Sequence, residues 1–382
     1  MKILFKSGST MMGGLEKVQI EYINFLLSSG HDVKIIIEND NGEENVLEKY
    51  ILGKVEYIKD FNYISKIKNL REIRNKNIIT KINYNYNLLK ERIYANYKFL
   101  EIYKEYSPDI VIDFDASLIK IVKKLIKSKN LVWIHSSITN WKKKKNKIER
   151  FITRLESYDK IICICKEMRE ELLDINHKLF EKIEVLYNPI DFQKIRELSE
   201  KKIESQEEMT KEKFLLMVAR LDIIPKDFGT LFLAFDKAKE KGYKGKLYLI
   251  GDGPDREKVE ERIEKSKFKE DIFILGRKIN PYNWMKKADK IILSSRYEGF
   301  PTVLLEGLCL DKEVISSNCK TGPREILAED RGEVFEIGDY QKLGDYILKE
   351  NKIRDINLNE FKSEKTFEKL NKLIKELICL KN

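Results

Sequence analysis

The most informative part of the sequence is one strand–loop–helix segment in the second half of the chain. It reads Ser294-Ser295-Arg296-Tyr297-Glu298-Gly299-Phe300-Pro301-Thr302-Val303-Leu304-Leu305-Glu306 and follows an apolar strand-like run, Lys290–Leu293. Gly299 permits a tight backbone path, and Pro301 suits the first helical turn, where a missing N–H group costs nothing. The free N–H groups at a helix start can bind an anion. Because Glu298 and Glu306 would repel a phosphate at this place, we expect both carboxylates to bind hydroxyl groups.

The same alternation of apolar runs and helix-period stretches continues on both sides of this segment. In the first half the strand-like runs are Lys2–Phe5, Val33–Ile37, Ile110–Phe114, Leu131–Ile134, Lys160–Ile164 and Ile183–Leu186. In the second half they are Phe214–Val218, Lys246–Ile250, Ile272–Leu275, Lys290–Leu293 and Glu313–Ser316. Alternation of this kind is typical of parallel sheets with helices on both faces. The sequence therefore predicts an α/β fold with two doubly wound, Rossmann-like domains.

The domain boundary is predicted at a turn-forming pentad, Tyr187-Asn188-Pro189-Ile190-Asp191, which follows the last strand-like run of the first half. We expect an acceptor-binding domain over residues 1–188 and a nucleotide-sugar-binding domain over 189–365. A C-terminal helix over 366–382 is expected to pack back towards the first domain. In doubly wound folds ligands bind beyond the carboxyl ends of the strands, which predicts a site in a cleft between the domains.

Composition excludes several classes of protein. The chain has 382 residues, of which 42% are hydrophobic, and no apolar run approaches the ~18 residues that span a bilayer. Its start returns to charge at Lys6 after three apolar residues, unlike a signal peptide. Five cysteines are too few for a disulfide framework, and three histidines cannot supply a metal cluster. We therefore expect a cytoplasmic protein without a metal cofactor.

The net charge of +10 is concentrated in one region. Residues 51–150 contain 23 Lys and Arg against 10 Asp and Glu, which predicts an anionic partner there. Residues 61–106 interleave basic residues with tyrosines, and their pattern predicts long helices with one basic, aromatic face. With Trp141–Arg150, this region predicts attachment to an anionic membrane through residues 61–150. The alternative is a solvated helical insertion that has no partner.

The segment around Glu298 resembles the signature of the retaining glycosyltransferases of family 4. The E-x₇-E spacing from Glu298 to Glu306 carries the likeness. It extends through Ala219-Arg220-Leu221 with Lys226-Asp227, Leu249-Ile250-Gly251-Asp252-Gly253-Pro254, Leu275-Gly276-Arg277, Asn280-Pro281-Tyr282 and Gly322-Pro323-Arg324-Glu325-Ile326. In the first half it includes Gly13-Gly14-Leu15-Glu16-Lys17-Val18 and Trp133-Ile134-His135. The resemblance implies the GT-B fold, in which two Rossmann-like domains face each other across a cleft.

The resemblance also implies a role for each matching residue. Glu298 would hold hydroxyls of the donor sugar, while Arg220 and Lys226 would bind the diphosphate in place of a metal ion. His135 would lie near the donor sugar as a further catalytic residue. The remaining donor-binding residues would be Gly14, Arg277, Lys278, Ile279, Gly299, Phe300, Pro301, Thr302 and Glu306, with Glu306 on the ribose and Arg277–Ile279 facing the base. Gly251-Asp252-Gly253-Pro254 fits a structural turn better than a ligand site.

These roles imply a retaining, metal-independent glycosyltransferase. It would move a sugar from a nucleotide-sugar donor, by analogy a UDP-sugar, to a saccharide or lipid-linked acceptor in the synthesis of surface polysaccharide, lipopolysaccharide or another glycoconjugate. It would work in the cytoplasm, peripherally on the inner face of the membrane. A nucleotide-sugar 2-epimerase on the same fold is the alternative enzyme, although the E-x₇-E helix is not expected there. A basic nucleic-acid-binding protein is the alternative from another class, but the sequence contains no nucleic-acid-binding motif.

Overall fold

The apolar runs of the first half form a seven-stranded parallel sheet in the computed structural model, which describes residues 1–141, 144–203, 207–350 and 356–379. Its strands are β1 (Lys2–Ser7), β2 (Asp32–Asn39), β3 (Val55–Lys59), β4 (Ile110–Asp113), β5 (Lys129–Ile134), β6 (Lys160–Cys163) and β7 (Ile183–Val185). They lie in the order β3-β2-β1-β4-β5-β6-β7. The central strands are buried along almost their whole length, because a parallel sheet is covered by helices on both faces.

Within the described residues, six helices lie between the strands of this sheet along the chain. They are α1 (Gly14–Ser28), α2 (Phe61–Ile73), α3 (Ile78–Tyr106), α4 (Ile138–Trp141), α5 (Lys145–Leu155) and α6 (Lys166–Ile175). Helix α3 begins at a capping box, in which the Asn77 side chain accepts from the Thr80 N–H group and the Thr80 hydroxyl accepts from the Asn77 N–H group. Its C-terminal half packs on the sheet through Ala95, Phe99 and Ile102, which are buried.

The second half forms a six-stranded parallel sheet in the order β10-β9-β8-β11-β12-β13. Its strands are β8 (Phe214–Val218), β9 (Lys246–Ile250), β10 (Ile272–Gly276), β11 (Lys290–Leu293), β12 (Glu313–Ser317) and β13 (Glu333–Phe335). Its helices are α7 (Phe192–Ser199), α8 (Ile223–Lys226), α9 (Phe228–Glu240), α10 (Arg256–Ile263), α11 (Tyr282–Lys287), α12 (Thr302–Cys309), α13 (Pro323–Ile326) and α14 (Tyr340–Leu348). The prediction of an α/β fold with two parallel-sheet domains is therefore confirmed.

The chain divides into two compact units. The first unit comprises Met1–Ile164, Arg169–Pro189 and Thr366–Asn382, and the second comprises Cys165–Met168 and Ile190–Lys365. A last helix, α15 (Ser363–Cys379), runs from the second unit into the first. Within the first unit, the Phe367 ring stacks on Phe25 at a centroid distance of 4.0 Å. The Thr366 hydroxyl donates to the Tyr187 carbonyl oxygen at 3.1 Å.

Two strands, β3 and β13, were not expected from the sequence. Both lie at a sheet edge, so fewer of their side chains are buried than on the central strands, and the pattern of apolar residues is correspondingly weak. The prediction of one basic, aromatic face over residues 61–106 is wrong in its detail. Tyr103 is buried against the core and Tyr84 packs under the Arg74 guanidinium, whereas Tyr86 and Tyr97 are exposed. The tyrosines thus occupy both faces of α3.

Residues 142 and 143 of the predicted membrane-binding segment lie outside the described residues. Among the helices that the structure describes, none combines the length and the apolar character that crossing a membrane requires.

Candidate active site

Two loops meet at the centre of the second sheet. The loops follow β8 and β11, which are neighbouring strands in the sheet. The strand order reverses between these two strands, because β9 and β10 extend the sheet on one side and β12 and β13 extend it on the other. In open α/β sheets, such a reversal leaves a crevice for ligands at the carboxyl ends of the strands. The loop after β8 carries Arg220 and Lys226, and the loop after β11 carries Glu298. The fold therefore brings these three predicted site residues to one edge of the sheet.

Glu298 and Lys226 are in direct contact. The Lys226 Nζ atom lies 2.5 Å from the Glu298 Oε1 atom, and the two side chains are only 18% and 12% exposed. The Ser295 hydroxyl donates to the same Oε1 atom at 2.6 Å. A charge-assisted hydrogen bond between partly buried groups is stronger than one in water. The carboxylate is therefore held in a fixed position.

Further bonds join the two loops. The Ser294 hydroxyl donates to the Lys226 carbonyl oxygen at 2.9 Å, and the Arg296 N–H group donates to the Pro225 carbonyl oxygen at 2.7 Å. The Arg296 guanidinium pairs with the Asp227 carboxylate at 2.8 Å. Asp227 also caps α9 from a left-handed conformation with φ 41°. Lys226 is thus fixed through its backbone as well as through its ammonium group.

The Gly322-Pro323-Arg324-Glu325-Ile326 motif supports the other side of the Glu298 loop. The Thr321 hydroxyl donates to the Glu298 carbonyl oxygen at 2.5 Å. Gly322 has φ 101°, and a Cβ atom there would lie 2.6 Å from the Cδ atom of Pro301. A glycine is needed at this position because the backbone conformation and the close approach both exclude a side chain. The motif thus closes the loop against the start of α12.

The start of α12 differs slightly from the prediction. Pro301 is the residue that precedes the helix, which begins at Thr302. Phe300 is buried and its ring lies 6.0 Å from that of Phe361, so Gly299 and Phe300 have only their backbone to offer a ligand. One turn later, Glu306 is half-buried and accepts from the Thr302 hydroxyl at 3.3 Å.

The glycines of Gly251-Asp252-Gly253-Pro254 hold the Arg220 loop by close backbone packing. The Leu221 N–H group donates to the Asp252 carbonyl oxygen at 3.1 Å. A Cβ atom on Gly251 would lie 1.9 Å from the Ala219 carbonyl oxygen, and one on Gly253 would lie 2.3 Å from the Leu221 carbonyl oxygen. These distances support the interpretation of the motif as a structural turn.

We predict that Gly251→Ala lowers the free energy of unfolding by at least about 2 kcal/mol, because the new methyl group adds a clash to an unfavourable φ of 147°. Gly242→Ala is the matched control, since its φ is 100° and no heavy atom lies within 4 Å of the added Cβ. Urea denaturation of both variants measures the difference. Equal losses of stability would contradict the close packing.

The three residues expected to face the base follow β10. Arg277 lies 3.8 Å from the Asp252 carboxylate, the Lys278 ammonium lies over the Trp284 ring at 5.6 Å, and Ile279 is largely exposed. The side chains of Arg277 and Lys278 are thus directed by interactions within the second unit.

Two predicted site residues, Gly14 and His135, belong to the first unit. Gly14 begins α1, and a Cβ atom there would contact no heavy atom within 4 Å. His135 follows β5, and its Nε2 atom donates to the Phe114 carbonyl oxygen at 2.7 Å. Burial lowers the pKa of His135 to about 4, so the ring is neutral at pH 7 and its Nδ1 atom is a hydrogen-bond acceptor. His135 is therefore suited to accept a bond from a hydroxyl.

Three residues at the site had no predicted role: Ser295, Thr321 and Asp227. Ser295 and Asp227 lie within motifs that the sequence showed, and Thr321 directly precedes one. The three-residue spacing of Ser295 from Glu298 is the local signal that could have identified Ser295. Thr321 and Asp227 act on residues that are distant along the chain. No group of three or more His, Cys, Asp or Glu side chains that could hold a metal ion occurs in the described part of the chain.

Two family models match the chain. The model of Glycosyl transferases group 1 matches residues 199–366, and the model of Glycosyltransferase Family 4 matches residues 12–194. Solved structures of the same fold include the apo form of the lipopolysaccharide outer core galactosyltransferase WaaB, with a TM-score of 0.68, 22% identity and coverage of 98% of this chain and 99% of that chain. Anabaena HepE in complex with UDP and glucose gives a TM-score of 0.73 at 15% identity, with coverage of 98% and 100%. These neighbours have the GT-B fold.

Curated relatives are similar over parts of their length. An uncharacterized glycosyltransferase of Methanocaldococcus jannaschii is 30% identical over 65% of this chain and 65% of its own length. The N-acetylgalactosamine-N,N'-diacetylbacillosaminyl-diphospho-undecaprenol 4-alpha-N-acetylgalactosaminyltransferase of Campylobacter jejuni is 30% identical over 50% of this chain and 51% of its own. The chain thus spans less than two thirds of either relative. The lipopolysaccharide 1,6-galactosyltransferase of Escherichia coli is 26% identical over 74% of this chain and 78% of its own.

Proposed function

Because this chain belongs to the GT-B glycosyltransferases, we propose that it transfers a sugar, with retention of configuration, from a UDP-sugar to a saccharide or lipid-linked acceptor of surface polysaccharide or glycoconjugate synthesis. The observation that carries the proposal is the Lys226–Glu298 pair at the strand-order reversal, where a cation and a hydrogen-bond acceptor lie 2.5 Å apart. The UDP in the HepE structure and the undecaprenol-linked and lipopolysaccharide acceptors in the relatives' names support the donor and acceptor classes.

The two members of the pair have different tasks in this reaction. Glu298 accepts hydrogen bonds from hydroxyls of the donor sugar, and Lys226 places its charge between the sugar and the diphosphate. Arg220 provides the second cation for the diphosphate. Glu306 binds the ribose, the backbone of Arg277–Ile279 faces the base, and Gly14 and His135 keep the roles that the resemblance implies. Charges placed in advance at a leaving group stabilise the transition state without reorganisation.

Retention follows from departure and attack on the same face of the sugar. The bond between the anomeric carbon and the diphosphate oxygen breaks, and the acceptor oxygen forms the new bond from that face. The acceptor proton passes to the leaving phosphate. A double displacement would need a nucleophilic carboxylate on the opposite face. Glu298 is engaged by Lys226 and Ser295, which suits hydroxyl binding rather than attack.

Slow hydrolysis of the donor, measured across a panel of nucleotide sugars, tests the function because it needs no acceptor. One UDP-sugar is expected to be cleaved well above the others, and NMR of the first sugar released gives its anomeric configuration. Inversion would contradict retention. If no nucleotide sugar were cleaved, the transferase assignment would be contradicted. Release of an epimerised free sugar would also contradict it and would support an epimerase.

We predict that this hydrolysis is unchanged by EDTA, because Arg220 and Lys226 supply the charge that a metal ion supplies in other enzymes. The control is a glycosyltransferase known to require manganese, assayed in the same buffer. Loss of activity in EDTA that magnesium restores would contradict the metal-free diphosphate site.

The enzyme is also proposed to attach to the inner face of the cytoplasmic membrane. The excess of basic residues over 51–150 supports this location, because each basic residue near an anionic leaflet contributes about 1 kcal/mol. Attachment would bring the enzyme close to a lipid-linked acceptor.

A further inference from the structure

Helix α3 exposes an apolar stripe along one face. Six residues form it: Ile79, Ile82, Tyr86, Leu89, Ile93 and Tyr97. Each of these side chains is between 56% and 73% exposed. They recur at intervals of three or four residues, so they lie one above the other over about 27 Å of helix. Large apolar side chains scattered singly over a surface are normal, but a continuous stripe marks an interaction site.

The stripe is not the face by which α3 packs on its own unit. Ala95, Phe99 and Ile102 are buried in the core, and the helical periodicity places them on the opposite side of the helix. Glu91 also lies on that side, where its carboxylate pairs with the buried Lys59 at 2.6 Å. The side of α3 that faces the protein therefore carries both apolar residues and a charged residue, and the side that faces solvent carries a second apolar surface.

Basic residues flank the stripe. Lys90 lies on one side of it and Arg92 lies on the other, and both are exposed. Within the described ranges, neither of these two cations has an ion-pair partner. Lys66 and Arg71 on the adjacent α2 are exposed as well. The whole segment from residue 61 to 100 contains nine Lys and Arg against two acidic residues.

The positive charge beside the stripe distinguishes between two possible partners, a second copy of the chain and an anionic lipid surface. A second copy of the chain would pair the stripes as in a coiled coil, but Lys90 and Arg92 would then face the like charges of the other copy. An anionic lipid surface complements the same cations, while tyrosines and the stems of lysines settle at a headgroup interface. An apolar stripe between cationic flanks is the pattern of a helix that lies in the plane of a membrane surface.

We propose that the stripe of α3 inserts into the interface of an anionic membrane, with the helix axis parallel to the membrane plane and Lys90 and Arg92 on the lipid phosphates. The membrane proposal rests on the proposed function, because it names the helix by which a glycosyltransferase with a lipid-linked acceptor would attach to the membrane. Attachment then has an apolar part, which salt does not remove, in addition to the electrostatic part.

Co-sedimentation of the full-length protein with vesicles tests the proposal. Wild type is expected to bind vesicles of phosphatidylcholine with phosphatidylglycerol, and to bind pure phosphatidylcholine far less. Leu89→Glu is expected to weaken binding about tenfold, as losing the burial of one leucine predicts. Leu233→Glu is the matched control, because Leu233 is a similarly exposed leucine, 52% against 56%, on α9 of the second unit. It is expected to bind like wild type.

Three results would overturn the proposal. They are the absence of wild-type binding at low salt, equal binding by Leu89→Glu and wild type, and a lipid-free dimer that Leu89→Glu dissociates in sedimentation velocity. The last result would assign the stripe to a second copy. An assay of donor hydrolysis without vesicles distinguishes a failure of this proposal from a failure of the proposed function. The Leu89→Glu variant is expected to hydrolyse the donor like wild type. If wild type hydrolysed no donor, the transferase assignment would be contradicted, whereas the result of the vesicle experiment would still hold.

Discussion

Replacing Glu298 by Gln is expected to reduce sugar transfer about 10²–10³-fold, because one well-placed charged hydrogen bond in a transition state is lost. The change keeps the shape of the side chain and removes its charge. The Ser295 hydroxyl can still donate to the remaining oxygen, so the loop is expected to stay in place. The loss should therefore fall on turnover, while affinity for the nucleoside diphosphate stays close to that of wild type.

The assay is transfer or donor hydrolysis at saturating donor, with calorimetric titration of UDP in parallel. Glu257→Gln provides the control, since Glu257 is an exposed glutamate on α10 of the same unit and the same chemical change should have no effect there. Turnover at the wild-type rate in Glu298→Gln would remove Glu298 from the catalytic machinery. A loss of UDP affinity equal to the loss of turnover would assign it to the nucleotide instead.

The fold was predictable because its signals are local. The central strands of both sheets are short continuous apolar runs, and β8, β9 and β11 have the same bounds in the structure as in the prediction. The edge strands β3 and β13 gave no comparable signal, since strands with less buried surface need fewer apolar residues. The motif around Glu298 was visible for the same local reason, because a strand end, a glycine and a proline follow one another within a few residues.

The pairing inside the site was not predictable from the sequence. Lys226 and Glu298 are separated by 72 positions, and no periodicity relates them. The family resemblance implied the diphosphate as the ligand of the lysine and the sugar as the ligand of the glutamate, and it predicted nothing about a contact between the two. That contact depends on the strand order, which brings the ends of β8 and β11 together although β9 and β10 lie between them in the chain. Strand order is a long-range property that apolar patterns do not encode.

The pairing in turn predicts that the two diphosphate cations are not equivalent. Arg220 is exposed and, across the described residues, has no ion-pair partner, so Arg220→Ala removes a cation and leaves no charge behind. Lys226→Ala removes a cation and also leaves the Glu298 carboxylate, 12% exposed, without its counter-charge. That carboxylate would then repel the diphosphate.

We expect Arg220→Ala to weaken UDP binding about 10- to 100-fold, the range for one charged contact to phosphate, and Lys226→Ala to weaken it more. The double variant Lys226→Ala with Glu298→Gln is expected to regain part of this loss, because the uncompensated charge is gone. Calorimetric titration of UDP into wild type and the four variants completes a double-mutant cycle. Additive losses from Lys226→Ala and Glu298→Gln would mean that the pair does not couple in solution. A stronger effect of Arg220→Ala than of Lys226→Ala would contradict the role of the pair, since it would place the diphosphate on the exposed cation alone.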